Sequence, residues 1–258
     1  MAADGAINRT LRVLVAVCEG GPQTLSGLSA RTGLTPPTLL RTLRLMRDEG
    51  FVDQDRDRKW AATMLIWRLG LAVSKSTTPT AAADQTLAEL TAAIAETSVY
   101  AVFEQGWLTY LSTAEPSKPV RTHIPLGGHY PALDTVTGHA VLAWMRKPDI
   151  EATISQLGDQ LGSQLTARDT QALFRKLTAV ATAGYATGTG DRWPGIWGAA
   201  APVFNQRGNP VGAIGVSVPS EEAPGNEAAI TREVCAAARR LTQMLGGDGK
   251  PPKSPLLR

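Results

Sequence analysis

The sequence is poor in the residues that covalent scaffolds and catalytic sites draw on. It has two cysteines and three histidines in 258 residues. Cys18 and Cys235 lie far apart on apolar helical patterns and read as small core hydrophobes, which argues against a disulfide framework or a cysteine-rich metal site. His123, His129 and His139, with Asp134 nearby, fall in no G-x-S-x-G, H-E-x-x-H or P-loop pattern. Histidine and aspartate do acid–base work only in a formed site, so an enzyme is the weaker reading. No run approaches the ~18–20 apolar residues of a membrane span, and the start, MAADGAINRT, has no apolar signal core. A cytoplasmic protein without cofactor, metal or membrane partner is expected. Acidic residues are also missing from Arg31 to Arg47, a stretch that carries four arginines.

What is present in that region is a pattern. TLSGLSARTGLTPPTLLRTLRLMRDEGFV, Thr24 to Val52, reads as a short helix, a glycine turn and a second helix. Thr24 and Ser26 suit the first N-terminus. Gly33 suits the turn because it tolerates positive φ. Thr35 can cap the second helix, and Pro36 fits its first turn, where a missing N–H costs nothing. Leu39, Leu43 and Met46 recur at helical spacing and form its buried stripe. The opposite side carries Leu40, Arg41, Arg44 and Arg47. A solvated amphipathic helix is the competing account of such a face, but the glycine turn before it and the hairpin after it favour a helix-turn-helix that binds DNA. That hairpin is Phe51-Val52, DQDRDRK and Trp60, the wing of a winged helix. Arg56, Arg58 and Lys59 at its tip can meet phosphate, diluted by Asp53, Asp55 and Asp57. Residues 1–75 hold 11 Lys/Arg against 7 Asp/Glu and the remainder 15 against 16, so the basic excess lies with the helix-turn-helix, as an electrostatic footprint on DNA should.

The length favours two domains. A first helix, Asn8 to Glu19, places Leu11, Leu14, Val15 and Cys18 on one face. Thr63 to Ser76 is a strongly apolar helix (Met64, Trp67, Leu71, Ser74), read as a linker packed on a partner. A helix with Leu87, Leu90 and Ile94 follows. The period then changes to that of strands at Val99–Glu104, Trp107–Thr113 and Val120–Ile124. Thr137–Met145 and Thr166–Thr182 are helical. Strands Trp197–Phe204 and Val211–Val218 flank the turn NQRGNP, and an alanine-rich helix runs from about Asn226 to Leu245. An antiparallel sheet flanked by helices is an α+β sensor-like domain. The expected division is 1–62 winged helix-turn-helix, 63–79 linker helix, 80–246 effector and dimerisation domain, and 247–258 a loose Pro/Gly-rich tail.

These residues, in this order, resemble the isocitrate-lyase-regulator (IclR) type of bacterial transcription regulators. The resemblance spans about residues 7 to 245. It rests on Leu11-Arg12-Val13-Leu14, Leu28-Ser29-Ala30-Arg31-Thr32-Gly33-Leu34, Arg41-Thr42-Leu43 and Gly50-Phe51-Val52 in the first part. In the second part it rests on Gly138-His139-Ala140-Val141-Leu142-Ala143, Gly184-Tyr185-Ala186, and Gly195 followed by Ala200-Ala201-Pro202-Val203. It implies a winged helix-turn-helix, a linker helix and a GAF-like effector-binding domain. It also implies a dimer or dimer of dimers on a palindromic operator, and a small organic effector that changes DNA affinity, with repression the expected sign. A regulator that has lost ligand sensing is the alternative.

The departures from the family pattern are specific. Pro36-Pro37 stands where polar residues are usual, leaving Thr35, Pro37, Thr38, Leu40, Arg41, Arg44 and Arg47 as the reading surface. Leu40 either touches a thymine methyl or packs on its neighbours. Arg41 matches the family arginine and either forks onto guanine or clamps a phosphate. The resemblance places the effector among Leu126, Gly127, Leu133, Val136, Thr137, Asp191, Ile196, Trp197, Gly198 and Ser217. Leu133 replaces the family histidine, and Gly198 replaces a small polar or sulfur residue. Trp193 and Trp197 either wall a pocket larger than a two- or three-carbon acid needs or serve packing.

Overall fold

The computed structural model describes residues 5–77, 80–162, 165–189 and 193–257. The chain divides into two compact units, 1–78 and 79–258. The first contains α1 (Ala6–Gly20), α2 (Leu25–Thr32), α3 (Pro36–Asp48), the strands β1 (Val52–Gln54) and β2 (Trp60–Ala62), and α4 (Met64–Thr77). Thr24 caps α2, its side chain accepting from Gly27 N–H. Gly33 ends that helix at φ 69°, a conformation that suits glycine because no Cβ meets the backbone. Ser29 Oγ donates to the Leu34 carbonyl at 2.6 Å and fastens the turn. Leu39, Leu43 and Met46 are buried with Val13, Val17, Leu28, Val52 and Trp60 in one core. Each large apolar side chain enclosed there stabilises the unit by roughly 1.5–3 kcal/mol relative to exposure. The hairpin is tied into the same body because Gln23 and Trp60 exchange backbone bonds at 3.0 and 2.7 Å.

The buried face of α1 matches the expected one only at Leu14, which is partly buried against the core. Val13, Ala16 and Val17 point inward, whereas Leu11 and Val15 are 55% and 53% exposed and Cys18 is exposed. The helix carries two apolar stripes, and the one with the smaller residues fits closest against α2 and α3.

The second unit opens with α5 (Thr80–Ile94) and is built on a six-stranded antiparallel sheet of order β5-β4-β3-β8-β7-β6. The strands are β3 (Thr97–Glu104), β4 (Trp107–Ala114), β5 (His129–Pro131), β6 (Ala186–Thr189), β7 (Ile196–Phe204) and β8 (Pro210–Pro219). Between β5 and β6 come α6 (Val136–Leu142), α7 (Lys147–Leu161) and α8 (Ala167–Ala183), and α9 (Glu227–Met244) closes the chain's last long element. One face of the sheet packs Tyr100, Trp197, Val203, Ile214 and Val216 against α5 and α9. The other packs Ala101, Leu108, Tyr110 and Phe204 against α6, α7 and α8. Helices thus cover both faces of the sheet. Because both faces are covered, β7 and β8 are almost continuously apolar rather than alternating.

Two further features differ from the sequence reading. Val120–Ile124 forms no strand; Val120 is 69% exposed, and the segment is held instead by Thr97 Oγ1 donating to the Thr122 carbonyl at 2.6 Å. The stretch 247–257 is not loose. Trp144 Nε1 donates to the Pro252 carbonyl at 2.8 Å, and Ser254 Oγ, 2% exposed, donates to the Ala143 carbonyl at 2.6 Å. These bonds fasten the tail beside α6, with Leu256 against the core. Since the orphaned carbonyl of Ala143 would stay buried, Ser254→Ala is expected to cost about 1–2 kcal/mol in urea unfolding.

Candidate nucleic-acid interface and ligand cavity

The N-terminus of α3 is unusual in its chemistry. Thr35 occupies the N-cap position with Pro36 and Pro37 in the first turn, but its side chain makes no cap bond; it donates to Thr38 Oγ1 at 3.0 Å. Two of the N–H groups that a helix start usually offers to a phosphate are therefore absent. Pro36, Pro37, Thr38, Arg41, Arg44 and Arg47 are all exposed. Arg41 and Arg44 make no ion pair with any described residue, whereas Arg31 is engaged by Glu19 at 2.7 Å. Arg47 lies with its guanidinium carbon 6.0 Å from the centre of the Trp60 ring, so it ties helix to hairpin. Leu40 is half-buried against the core, which favours packing over base contact. Thr35 and Pro37 flank the arginines at the helix start.

The hairpin tip is better organised than its charge suggests. Asp55 accepts from Lys59 N–H through its side chain at 2.8 Å and donates its own N–H to the Lys59 carbonyl at 2.9 Å. Asp53 accepts from Gln54 N–H at 2.8 Å. Arg58 is held at φ 62°, an uncommon conformation for a side-chain-bearing residue. Two of the three acids thus shape the turn that presents Arg56, Arg58 and Lys59, all exposed.

The second unit contains a cavity of about 380 Å³, lined by Tyr110, Arg121, His123, Tyr130, Trp193 and Ser217 among others. It continues inward between Val136, Thr137, Ile196, Gly198 and Ser217. The walls come from β4, β7 and β8 and from the first turn of α6. Gly198 opens the inner end: a Cβ there would lie 3.2 Å from the Val216 carbonyl oxygen and 3.5 Å from Val136 Cγ2. Tyr110 Oη lies 3.2 Å from Thr137 Oγ1. Thr137 Oγ1 donates to Thr135 Oγ1 at 3.3 Å, so the Tyr110 hydroxyl is the donor to Thr137. Thr135 caps α6, accepting from Gly138 N–H at 3.0 Å. Tyr130 packs edge-on against both Tyr110 and Trp193, with ring centres 5.0 and 4.9 Å apart.

At the mouth, Glu115 accepts from Arg121 Nε and pairs with His123 Nδ1, each at 2.6 Å. These bonds, Arg121's first, hold the Glu115 carboxyl below the usual range. Lys118 bridges Glu96 and Glu222 at 2.6 and 2.7 Å. Partial burial pushes its ammonium down, but the bonds to Glu222 and Glu96 outweigh this and leave it raised.

Of the residues expected at an effector site, the cavity brings together Val136, Thr137, Ile196, Gly198 and Ser217. Trp197 is a correction. It is 8% exposed and packs on the opposite face of the sheet with α5 and α9, because neighbours on a strand point to opposite sides. Leu133 is also a correction: its side chain packs on the core, and its carbonyl accepts from His139 Nε2 at 2.8 Å. Leu126 is 64% exposed and Gly127 forms a turn at φ 77°; neither lines the cavity. Asp191 lies outside the described residues. The residue pattern does not single out Tyr110, Tyr130 or Arg121. Tyr110 and Leu108 share one side of β4, and that alternation is the signal by which sequence reasoning reaches Tyr110. The histidines are dispersed: His139 is buried on α6, His123 pairs with Glu115, and His129 stacks on Trp107 at 4.6 Å.

Among known proteins, residues 72–243 match the C-terminal domain of the bacterial transcriptional regulator IclR family. Residues 9–54 match the bacterial regulatory protein, arsR family. The chain is 26% identical over 239 residues to the HTH-type transcriptional regulator BhcR of Paracoccus denitrificans, covering 92% of this chain and 86% of that one. It is 25% identical over 203 residues to the HTH-type transcriptional repressor AllR of Escherichia coli, covering 78% and 75%. Its fold superposes with a TM-score of 0.76 on an IclR homolog from Microbacterium hydrocarbonoxydans complexed with 4-hydroxybenzoate. That protein is 21% identical, with 94% of this chain and 99% of that chain covered.

Proposed function

Since the chain belongs to the IclR family of bacterial transcriptional regulators, we propose that it represses its target genes by binding a palindromic operator through α3, and that a small organic molecule in the sheet-and-α6 cavity changes its operator affinity. The observation that carries the DNA reading is the exposed Arg41–Arg44 pair on α3, free of ion pairs with described residues, where neighbouring Arg31 is neutralised. With Pro36 and Pro37 withholding two backbone donors, these arginines, with Thr38, supply most of the helix's polar contacts. Arg56, Arg58 and Lys59 add phosphate contacts from the hairpin. The cavity falls within the ~300–1,000 Å³ range of small-molecule sites and has their character, apolar walls with a few converging polar groups.

Exposed apolar surface in the first unit supports assembly as a homodimer, or a dimer of such dimers. Ile7, Leu11 and Val15 on α1 are 75%, 55% and 53% exposed, and Met64, Trp67 and Leu71 on α4 are 68%, 61% and 43% exposed. Apolar stripes of this kind mark protein–protein contacts. A second copy is the natural occupant because a two-fold pair of α3 helices reads two half-sites about one helical turn apart.

Selection from random duplexes followed by binding titrations tests the reading. A paired half-site should emerge, with affinity falling steeply as salt rises. A saturating effector should move that affinity by about 5–150-fold. No preference over random DNA would sink the assignment. Operator binding that no small molecule moves would leave a regulator acting by constitutive binding.

A further inference from the structure

We infer that the ligand of this cavity is an aromatic carboxylic acid, an inference that rests on the effector reading above. The wall common to the inner and outer parts of the cavity is Tyr110, Trp193, Ile196 and Ser217, and Tyr130 adds a third ring. Tyr110, Tyr130 and Trp193 are arranged edge-on to one another, at 62° and 83°. Packed on one another in this way, they form one continuous wall that turns ring edges and faces toward the cavity, a surface against which another aromatic ring packs well. A two- or three-carbon acid would leave most of this surface unfilled and dry. Gly198 lengthens the cavity at its inner end, since a Cβ there would crowd the Val216 carbonyl oxygen at 3.2 Å and take up the space beside Val136.

The charge is at the other end. Arg121 stands at the mouth, 41% exposed, with its Nε committed to Glu115. Its terminal guanidinium nitrogens bond no described residue. That leaves the fork edge which pairs with a carboxylate. Glu115 also pairs with His123 Nδ1 at 2.6 Å, so its carboxylate is shared between the two side chains and holds the guanidinium in place. The bound acid therefore lays its ring against the wall of three aromatics and its carboxylate on Arg121. A ring substituent directed inward meets Ser217 and the Tyr110–Thr137 hydroxyls.

Calorimetric titration of the full-length protein tests this with benzoate and phenylacetate, benzamide as the uncharged analogue, and glyoxylate and pyruvate as short acids. Benzoate or phenylacetate should bind, and the ligand that binds should move operator affinity. Trp193→Ala should weaken it at least 10-fold. Arg121→Gln should weaken it at least 10-fold while leaving benzamide binding unchanged. Trp193 and Arg121 are both more than a third exposed, so these variants should melt as the parent does. Benzoate binding that survives Arg121→Gln intact overturns the inference. So does binding of pyruvate or glyoxylate, with an operator shift, when both aromatic acids fail; the cavity would then still sense a ligand, of a different class. If none of these acids binds or alters operator affinity, the inference fails, and a wider screen of organic molecules that also moves nothing removes the effector reading with it.

Discussion

Replacing Arg41 with alanine is expected to weaken binding to the selected operator at least ~100-fold, about 2.7 kcal/mol, while circular dichroism and elution volume stay unchanged. The size follows from two considerations. A guanidinium forked onto a base is worth ~1–3 kcal/mol, and a symmetric pair forgoes it twice. In addition, α3 has little to substitute: its first two residues are prolines, Leu40 is packed inward, and Arg47 leans over Trp60 at 6.0 Å. The fold should not suffer, since Arg41 is exposed and none of the α3 core positions changes. Measuring at several salt concentrations separates the two possible roles. A phosphate clamp, once removed, weakens all sequences alike and lowers the salt slope by about one per phosphate released, whereas removing a base reader flattens discrimination at one position in each half-site. An unchanged affinity would mean that α3 is not the reading helix.

The second large effect concerns stability. A Cβ on Gly138 would lie 2.0 Å from the Ala132 carbonyl oxygen and 2.6 Å from its carbon. The obstacle is backbone, in the 3-10 turn Ala132–Asp134 that α6 folds back upon, so no side-chain rotation relieves it. Gly138→Ala should therefore destabilise the second unit by about 3 kcal/mol or more, lowering its melting temperature by roughly 6–12 °C. The same substitution at Gly27 has the opposite sign. That position lies inside α2 with nothing nearer than Thr24 Oγ1 at 3.5 Å, so Gly27→Ala should gain up to ~1 kcal/mol from helix propensity. Equal melting temperatures for the two variants would show that the turn before α6 yields easily. Gly138→Ala should also depress ligand binding in whatever fraction folds, because the hydroxyl chain from Thr135 to Tyr110 is anchored on the Gly138 N–H.

The helix-turn-helix was legible because its signals are local: a capping threonine, a glycine at φ 69°, and a stripe at helical spacing. α1 shows where periodicity stops being sufficient. Leu11–Val15 and Val13–Ala16–Val17 are both helical stripes, and only packing against Leu28 and Leu39 decides which is inside. Trp197 is misplaced by the sequence for a related reason. On a strand buried on both faces, alternation of apolar and polar residues disappears, and a one-residue change of phase moves every side chain to the other face. α7 is hard to see in the sequence because Thr153 and Gly158 interrupt its buried stripe of Ile150 and Leu157. The cavity residues were half legible: the segments carrying family likeness located Val136, Gly198 and Ser217, whereas Tyr110, Tyr130 and Arg121 come together only when β4, β5 and the 115–124 segment are folded. Composition misleads about the tail, since Pro252 and Ser254 act through a carbonyl and a hydroxyl that no apolar pattern reveals.

That tail carries a practical corollary for anyone attaching a label to this protein. Ser254 and Pro252 are fastened to Ala143 and Trp144, immediately after the helix whose first turn floors the cavity. A fluorophore or affinity handle carried on Ser254 or Leu256 would displace the contacts at the end of that helix. The turn at Gln206–Arg207, exposed between β7 and β8, is a quieter point of attachment, and a handle at the C-terminal end calls for a flexible spacer before it.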